Sequence, residues 1–153
     1  MGSEMCIRDR NNKKMERKAI VSKFRLKNYV IDKSIFDYNG EEVSSERNIG
    51  FDVKGLIKKD NLFELTLITK IVDENKALKI FVQVVATYEF SSDITQKTLS
   101  DMFYKNAPAI IFPYVRAYVS SLTVLSGIDA VNIPTMNLTS IAEDLKENTK
   151  KEE

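Results

Sequence analysis

The sequence has no histidine, which removes the commonest general base, the usual zinc ligand and any Ser-His-Asp or Cys-His arrangement. Its single cysteine, Cys6, permits no internal disulfide and fits a reducing compartment. The five glycines, Gly2, Gly40, Gly50, Gly55 and Gly127, are too dispersed to form a phosphate-cradling loop or a dinucleotide fingerprint. Neither sign of charge prevails: 23 basic residues face 22 acidic ones, a formal net charge of +1. No global field is available to draw nucleic acid or an anionic membrane. Paired carboxylates at Glu41-Glu42 and Asp73-Glu74 fall in hydrophilic turns and are expected to be solvated. No catalytic constellation, metal, nucleotide or other cofactor is expected.

The 153 residues suit one domain with one core. Residues 1–22 stand apart as a flexible or foreign N-terminal segment, because Met1–Arg10 is charged and without period. Its Met1-Gly2 start lacks the Ser or Thr at the sixth position that N-myristoylation needs, since Cys6 stands there. No signal peptide is recognised, so a cytoplasmic location is expected. The domain is expected over residues 23–147, with residues 148–153 a frayed charged tail.

From Lys23 the pattern has period two, in four blocks. Phe24, Leu26, Asn28 and Val30 alternate with Arg25, Lys27, Tyr29 and Ile31, with a ragged exit near Asp32 to Phe36. A second block sets Ile49, Phe51, Val53 and Ile57 against Asp52, Lys54 and Lys58, with Gly55 at a bulge. In the third, Phe63, Leu65, Leu67 and Ile71 oppose Glu64, Thr66 and Lys70. The fourth and longest sets Leu78, Ile80, Val82, Val84, Ala86, Tyr88 and Phe90 on one face, while Phe81 and Val85 interrupt the polar other face. Turns at Lys59-Asp60-Asn61 and Asp73–Lys76 imply an antiparallel meander.

Past Phe90 the period becomes helical. Asn106–Gly127 is a long apolar stretch with one charge, Arg116, and two prolines, Pro108 and Pro113. With Pro108 in the first turn, apolar residues recur at Ala107, Ile110, Ile111, Tyr114, Tyr118, Leu122 and Leu125. Phe112, Val115 and Val119 widen the stripe until only Arg116, Ser120, Ser121 and Thr123 break it. Such a helix needs cover on more than one face. Its length suits a bilayer span, but Pro113 and Arg116 sit mid-segment, the tyrosines are spread along it and no basic cluster flanks it. No stable membrane insertion is expected, and the cover is expected from a second copy. Pro113 should kink the helix and Gly127 should end it. A last short helix is expected from the capping-box pattern Ser140–Glu143, with Ile141 and Leu145 at helical spacing. Strands first and helices afterwards is the α+β order: a four-stranded antiparallel meander sheet, a long kinked apolar helix and a short C-terminal helix.

Over roughly Phe24 to Leu145 the sequence resembles the SecB family of protein-export chaperones. The helix motif Asn106-x-Pro108-x-Ile-x-Phe-Pro-Tyr-x-Arg116 is its most specific part. Val131-Asn-Ile-Pro134 with Asn137-Leu138, and Phe24-Arg-Leu-Lys with Ile35-Phe36, support it. The resemblance implies an ATP-independent homotetramer, a dimer of dimers, that holds non-native polypeptides, including preproteins, and passes them to the SecA translocase motor. It implies a client groove at Phe51, Val53, Leu78, Ile80, Val82 and Leu138, and an oligomer interface at Ile111, Tyr114, Arg116, Tyr118 and Leu122. Two positions depart from the family's acidic motor-docking surface, carrying Lys33 and Phe81, although Asp32 and Asp37 lie nearby. A client other than exported proteins, such as an antitoxin, is therefore an alternative. So are a small-ligand-binding α+β protein and a purely structural or membrane-associated oligomer.

Overall fold

The computed structural model describes residues 23–153; Cys6 and the rest of residues 1–22 lie outside the described residues. Four long strands, β1 (Phe24–Tyr38), β2 (Arg47–Lys58), β3 (Leu62–Asp73) and β4 (Leu78–Phe90), are followed by a short helix α1 (Gln96–Asp101). A π-helical turn at Met102–Asn106 then leads into the long helix α2 (Ala107–Leu125), helix α3 (Thr139–Glu147) and a fifth strand β5 (Thr149–Lys151).

The sheet order is β1-β4-β3-β2-β5. Only β2, β3 and β4 form a meander; β1 lies beside β4, a Greek-key order in which the Asn39–Glu46 connection crosses the end of the β3–β4 hairpin. Asp73 is the post that this connection passes. Its Oδ2 accepts the Ser44 N–H at 2.9 Å and its Oδ1 the Leu78 N–H at 2.9 Å. Glu74 N–H also donates to the Glu46 carbonyl, and Asn39 N–H to the Ala77 carbonyl. Asp73 is therefore buried rather than solvated, whereas Glu41 and Glu42 are exposed as expected.

Period two locates the core face of β3 and β4 correctly: Phe63, Leu65, Leu67, Ile71, Leu78, Ile80, Val82, Val84, Ala86 and Tyr88 are all buried. The first strand departs from expectation. It runs unbroken to Tyr38, and its register against β4 shifts between Leu26 and Asn28 and again between Ile31 and Lys33. Each extra residue turns the following side chains over. Tyr29 and Ile31, opposite Ala86 and Val84, thus share the core face, while Asn28 and Val30 take the other. Gly55 is no bulge, since β2 and β3 pair in unbroken register. A Cβ there would stand 2.6 Å from Thr149 Oγ1 and 2.8 Å from the Phe63 ring, so glycine makes room for close packing. Nor does the end of the chain fray: β5 pairs with β2.

Five aromatic rings knot the lower core. Phe63 stacks on Phe103 at 4.2 Å and Phe24 on Tyr88 at 5.0 Å, with Phe90 edge-on to Phe103 at 5.2 Å. The π-helical turn delivers Phe103 into this cluster. Burial pushes the Tyr88 phenol well above its usual value, so its O–H stays a donor, reaching the Ala107 carbonyl at 2.6 Å. The first residue of α2 is thus tied to the sheet.

Helix α2 begins at Ala107 with Pro108 in its first turn and ends before Gly127, which takes φ 89°. Its core stripe is turned relative to the expected one. The buried residues are Ala107, Pro108, Ile111, Phe112, Val115, Val119 and Thr123, whereas Tyr114 and Leu125 are exposed and Tyr118 and Leu122 half-buried. The polar residues that interrupt the apolar pattern form a seam for the loop after the helix. Arg116 Nε donates to the Ile133 carbonyl at 2.9 Å, Ser120 Oγ lies 3.2 Å from the Val131 carbonyl, and Thr123 Oγ1 accepts the Val131 N–H at 2.9 Å. Spaced four and three residues apart, they lie on one side of the helix. Val131 and Ile133 are driven into the core by that seam, each 1% exposed. Helix α3 starts one residue before the expected cap. Asn137 Oδ1, rather than Ser140, accepts the Thr139 N–H at 3.0 Å, while Ile141 and Leu145 are buried as their spacing predicts.

Burial alone would raise the Asp73 carboxyl, but N–H donors from Leu78, Ser44, Ala77 and Asn75 outweigh it and hold it below the ordinary 3.8. A depressed folded value favours the charged form. Its contribution is complete above the unfolded value and drains away as pH falls from about 4 through the folded value. Urea denaturation across a pH series should show Asp73→Asn less stable at neutral pH, with the gap to wild type narrowing in acid. A gap independent of pH would contradict this assignment. Thr123→Val should leave the buried Val131 N–H unpaired and cost about 1–3 kcal/mol. Faster hydrogen exchange at Val131 is the local check, and unchanged exchange would discount the seam.

Candidate functional site

The sheet occupies one side of α2 and the Val131–Ile133 loop a second, and the remaining side is open. Tyr114 is 45% exposed and Leu125 86%. Beside this open side lies β1, whose outer edge pairs with no strand among the described residues. Tyr29, 41% exposed, packs against Tyr114 with ring centroids 4.8 Å apart, and the Tyr118 hydroxyl donates to Ser34 Oγ at 2.8 Å. On the opposite face of β1, Val30 and Ile35 are more than half exposed, with Val85 and Phe81 directly across the ladder. The edge strand and the free side of the helix thus present apolar and aromatic groups together.

The five expected interface residues divide. Tyr114 lies on the open side, with Tyr118 and Leu122 half-buried at its margin. Ile111 is wholly buried within the subunit and has no surface to offer a second copy. Arg116 is half-buried and engaged by its own chain through Ile133. Such a guanidinium needs a partner, and here that partner is a backbone carbonyl.

The six expected groove residues divide more sharply. Leu78, Ile80 and Val82 are at most 2% exposed and belong to the sheet–helix core, and Val53 is buried with them. Those four fill the ordinary interior because the core face of β4 lies beneath the helices. Phe51 is half-buried, its ring 5.6 Å from Phe112. Leu138 lines an open cleft, and of the other five only Val53 reaches one, a second cleft at the edge of β2. The Leu138 cleft, about 450 Å³, runs between the π-helical turn and α3, walled by Tyr104, Leu138 and Ala142. Lys105, Glu143 and Lys146 stand among its polar residues.

Tyr104 and Ala142 line this cleft without having been singled out from the sequence. Neighbouring helical residues point in directions well apart, so within the π-helical turn Phe103 faces inward while Tyr104 is left half-exposed at the cleft. The chemistry available is apolar contact bordered by charges of both signs. Among the described residues no group of His, Cys, Asp or Glu side chains is placed to hold a metal ion. The helical run Phe103–Leu125 is long and apolar enough to cross a bilayer, and its buried side chains lie in the core shared with the sheet.

Three comparisons bear on this architecture. A Methanocaldococcus jannaschii protein described only as uncharacterized is 27% identical over 142 residues, covering 84% of this chain and 91% of its own. Among solved structures, the Mycobacterium tuberculosis SecB-like chaperone Rv1957, in complex with a ChAD peptide from the HigA1 antitoxin Rv1956, superposes with a TM-score of 0.61. It is 10% identical, and the match covers 75% of this chain and 88% of that one, a likeness of fold. A Streptococcus agalactiae protein of unknown function aligns at a TM-score of 0.45 and 11% identity, over 76% of this chain and all of its own. The profile of the family described as preprotein translocase subunit SecB matches residues 22–148, spanning all four long strands, the long helix and α3. This chain belongs to the SecB family.

Proposed function

We propose that this protein is a nucleotide-independent holdase that binds non-native polypeptides through apolar contacts and works as a homotetramer, a dimer of dimers, in the cytoplasm. The observation that carries the reading is the pairing of SecB-family membership with an open cleft walled by Tyr104, Leu138 and Ala142. Apolar burial is proportional to area and indifferent to sequence. It therefore suits a site that must accept many unfolded segments while rejecting folded proteins, whose apolar side chains are already hidden. The exposed side of α2 and the free edge of β1 support assembly, because contiguous apolar surface with an unpaired edge is the usual mark of an interface.

Protein export, with delivery to the SecA motor, is the client route that the family suggests. Two residues favour a dedicated client as the second reading. Lys33 is exposed and Phe81 half-buried on the sheet face that no helix covers among the described residues, at positions expected to be acidic for motor docking. The peptide complex of the SecB-like Mycobacterium tuberculosis chaperone supports an antitoxin-type segment for that role.

A reduced, carboxymethylated protein that cannot refold is the direct probe. The full chain should bind it without ATP and with a negative heat-capacity change, while the same protein in its native, disulfide-bonded form should not compete. Leu138→Asp should weaken binding at least tenfold, since one apolar side chain contributes about 1.5–3 kcal/mol when buried. Saturable binding of the native competitor, or no binding of the unfolded probe, would overturn the holdase reading.

A further inference from the structure

The outer edge of β2 is occupied by the chain's own C-terminus. Thr149, Lys150 and Lys151 pair in parallel with Gly55, Leu56 and Ile57, while every other ladder in the sheet is antiparallel. The attachment combines the main-chain ladder with two side-chain hydrogen bonds to the β2 main chain and the residue after it. Gly55 N–H donates to the Asn148 carbonyl at 3.2 Å and Glu152 N–H to the Ile57 carbonyl at 2.8 Å. Asn148 Nδ2 donates to the Val53 carbonyl at 3.1 Å, and the Lys59 N–H to Glu152 Oε2 at 3.0 Å.

Little apolar area holds this strand down: Thr149 is half-buried and Lys150 and Lys151 are exposed. A short parallel ladder with solvent-facing side chains belongs to the low-stability end of a structure, where local opening is easy. Beneath it the site is specialised. Gly55 is the β2 residue opposite Thr149, and a Cβ there would collide with the Thr149 hydroxyl and the Phe63 ring. Lifting the strand would uncover five consecutive residues of β2 main chain, from Val53 to Ile57, together with the gap over Phe63. It would also widen an adjoining cleft of about 590 Å³ lined by Val53, Leu56, Thr66 and Asn148.

We infer that Thr149–Lys151 is a displaceable strap, which occupies in cis the main-chain edge that an extended client segment takes once the strap lifts. The ligand is an unfolded polypeptide in strand conformation, bound by backbone hydrogen bonds as in strand addition, with a small or apolar side chain over Gly55 and Phe63. This rests on the holdase reading and adds a competitor to it. With the open form a minor population, apparent affinity is reduced by that fraction.

Four proteins test it with the same carboxymethylated probe: the full chain, a chain ending at Asn148, Glu152→Pro, and Leu56→Cys with Lys150→Cys in a Cys6→Ser background. Ending the chain at Asn148 should tighten binding about tenfold. Glu152→Pro, which deletes the donor to Ile57 and the acceptor for Lys59 without shortening the chain, should shift it the same way and decides the matter should the truncated chain not fold. The oxidised double-cysteine form should bind more weakly than its reduced form. Hydrogen exchange at Gly55 should speed up in the truncated chain and slow again when the probe is added. Unchanged or weaker binding by both loosened variants, or a Gly55 amide left unprotected by the probe, would overturn the strap. Failure of all four proteins, the full chain included, to bind would overturn the holdase reading itself.

Discussion

A long helix that is apolar nearly all round cannot be hidden by one sheet, and the rest of this fold follows from how α2 meets that constraint. Its first side is sealed by Ile111, Phe112, Val115 and Val119 against the sheet. A second side carries Arg116, Ser120 and Thr123, which turn the polar breaks in the helix into anchors for the Val131–Ile133 loop. The chain thereby provides, from its own length, cover that the sequence suggests must come from elsewhere. It runs out at the third side, where Tyr114 and Leu125 remain exposed.

Strand order places that remaining side next to a second unfinished surface. Because the connection 39–46 is held across the hairpin end by Asp73, β1 lies against β4 and its outer edge is left unpaired among the described residues. A meander in sequence order would have left β4 at that edge instead. Tyr29, turned onto the helix side by the register shift after Leu26, then meets Tyr114. The unpaired edge and the uncovered helix side are therefore one continuous surface. An exposed edge strand is a hazard unless something covers it, which is the physical basis for the proposed assembly.

Much of this was legible in the residues. Strict alternation identified the core face of β3 and β4, Pro108 and Gly127 bracketed the helix, and the Asn106–Arg116 motif led to the family. The misreadings have identifiable causes. Apolar side chains on both flanks of α2 leave periodicity nothing to choose between, so the expected stripe lies too far toward Tyr114 and Tyr118. In β1 the extra residues reverse the alternation without any glycine or proline to mark them. Leu78, Ile80 and Val82, which the family resemblance assigns to the groove, are covered by the helices, and alternation along a strand reports an apolar face without reporting what covers it. Asp73 looks like any turn carboxylate until the crossing loop is seen to donate to it, and the Lys-rich β5 is held by backbone groups that composition does not reveal.

The proposed assembly can be tested most directly through its mass. Light scattering on the purified full chain should give four times the 17.5 kDa chain mass, with half that value as the intermediate on dilution. A chain that stays at 17.5 kDa at every concentration would contradict the account, because the surface shared by α2 and β1 would then face water unaided.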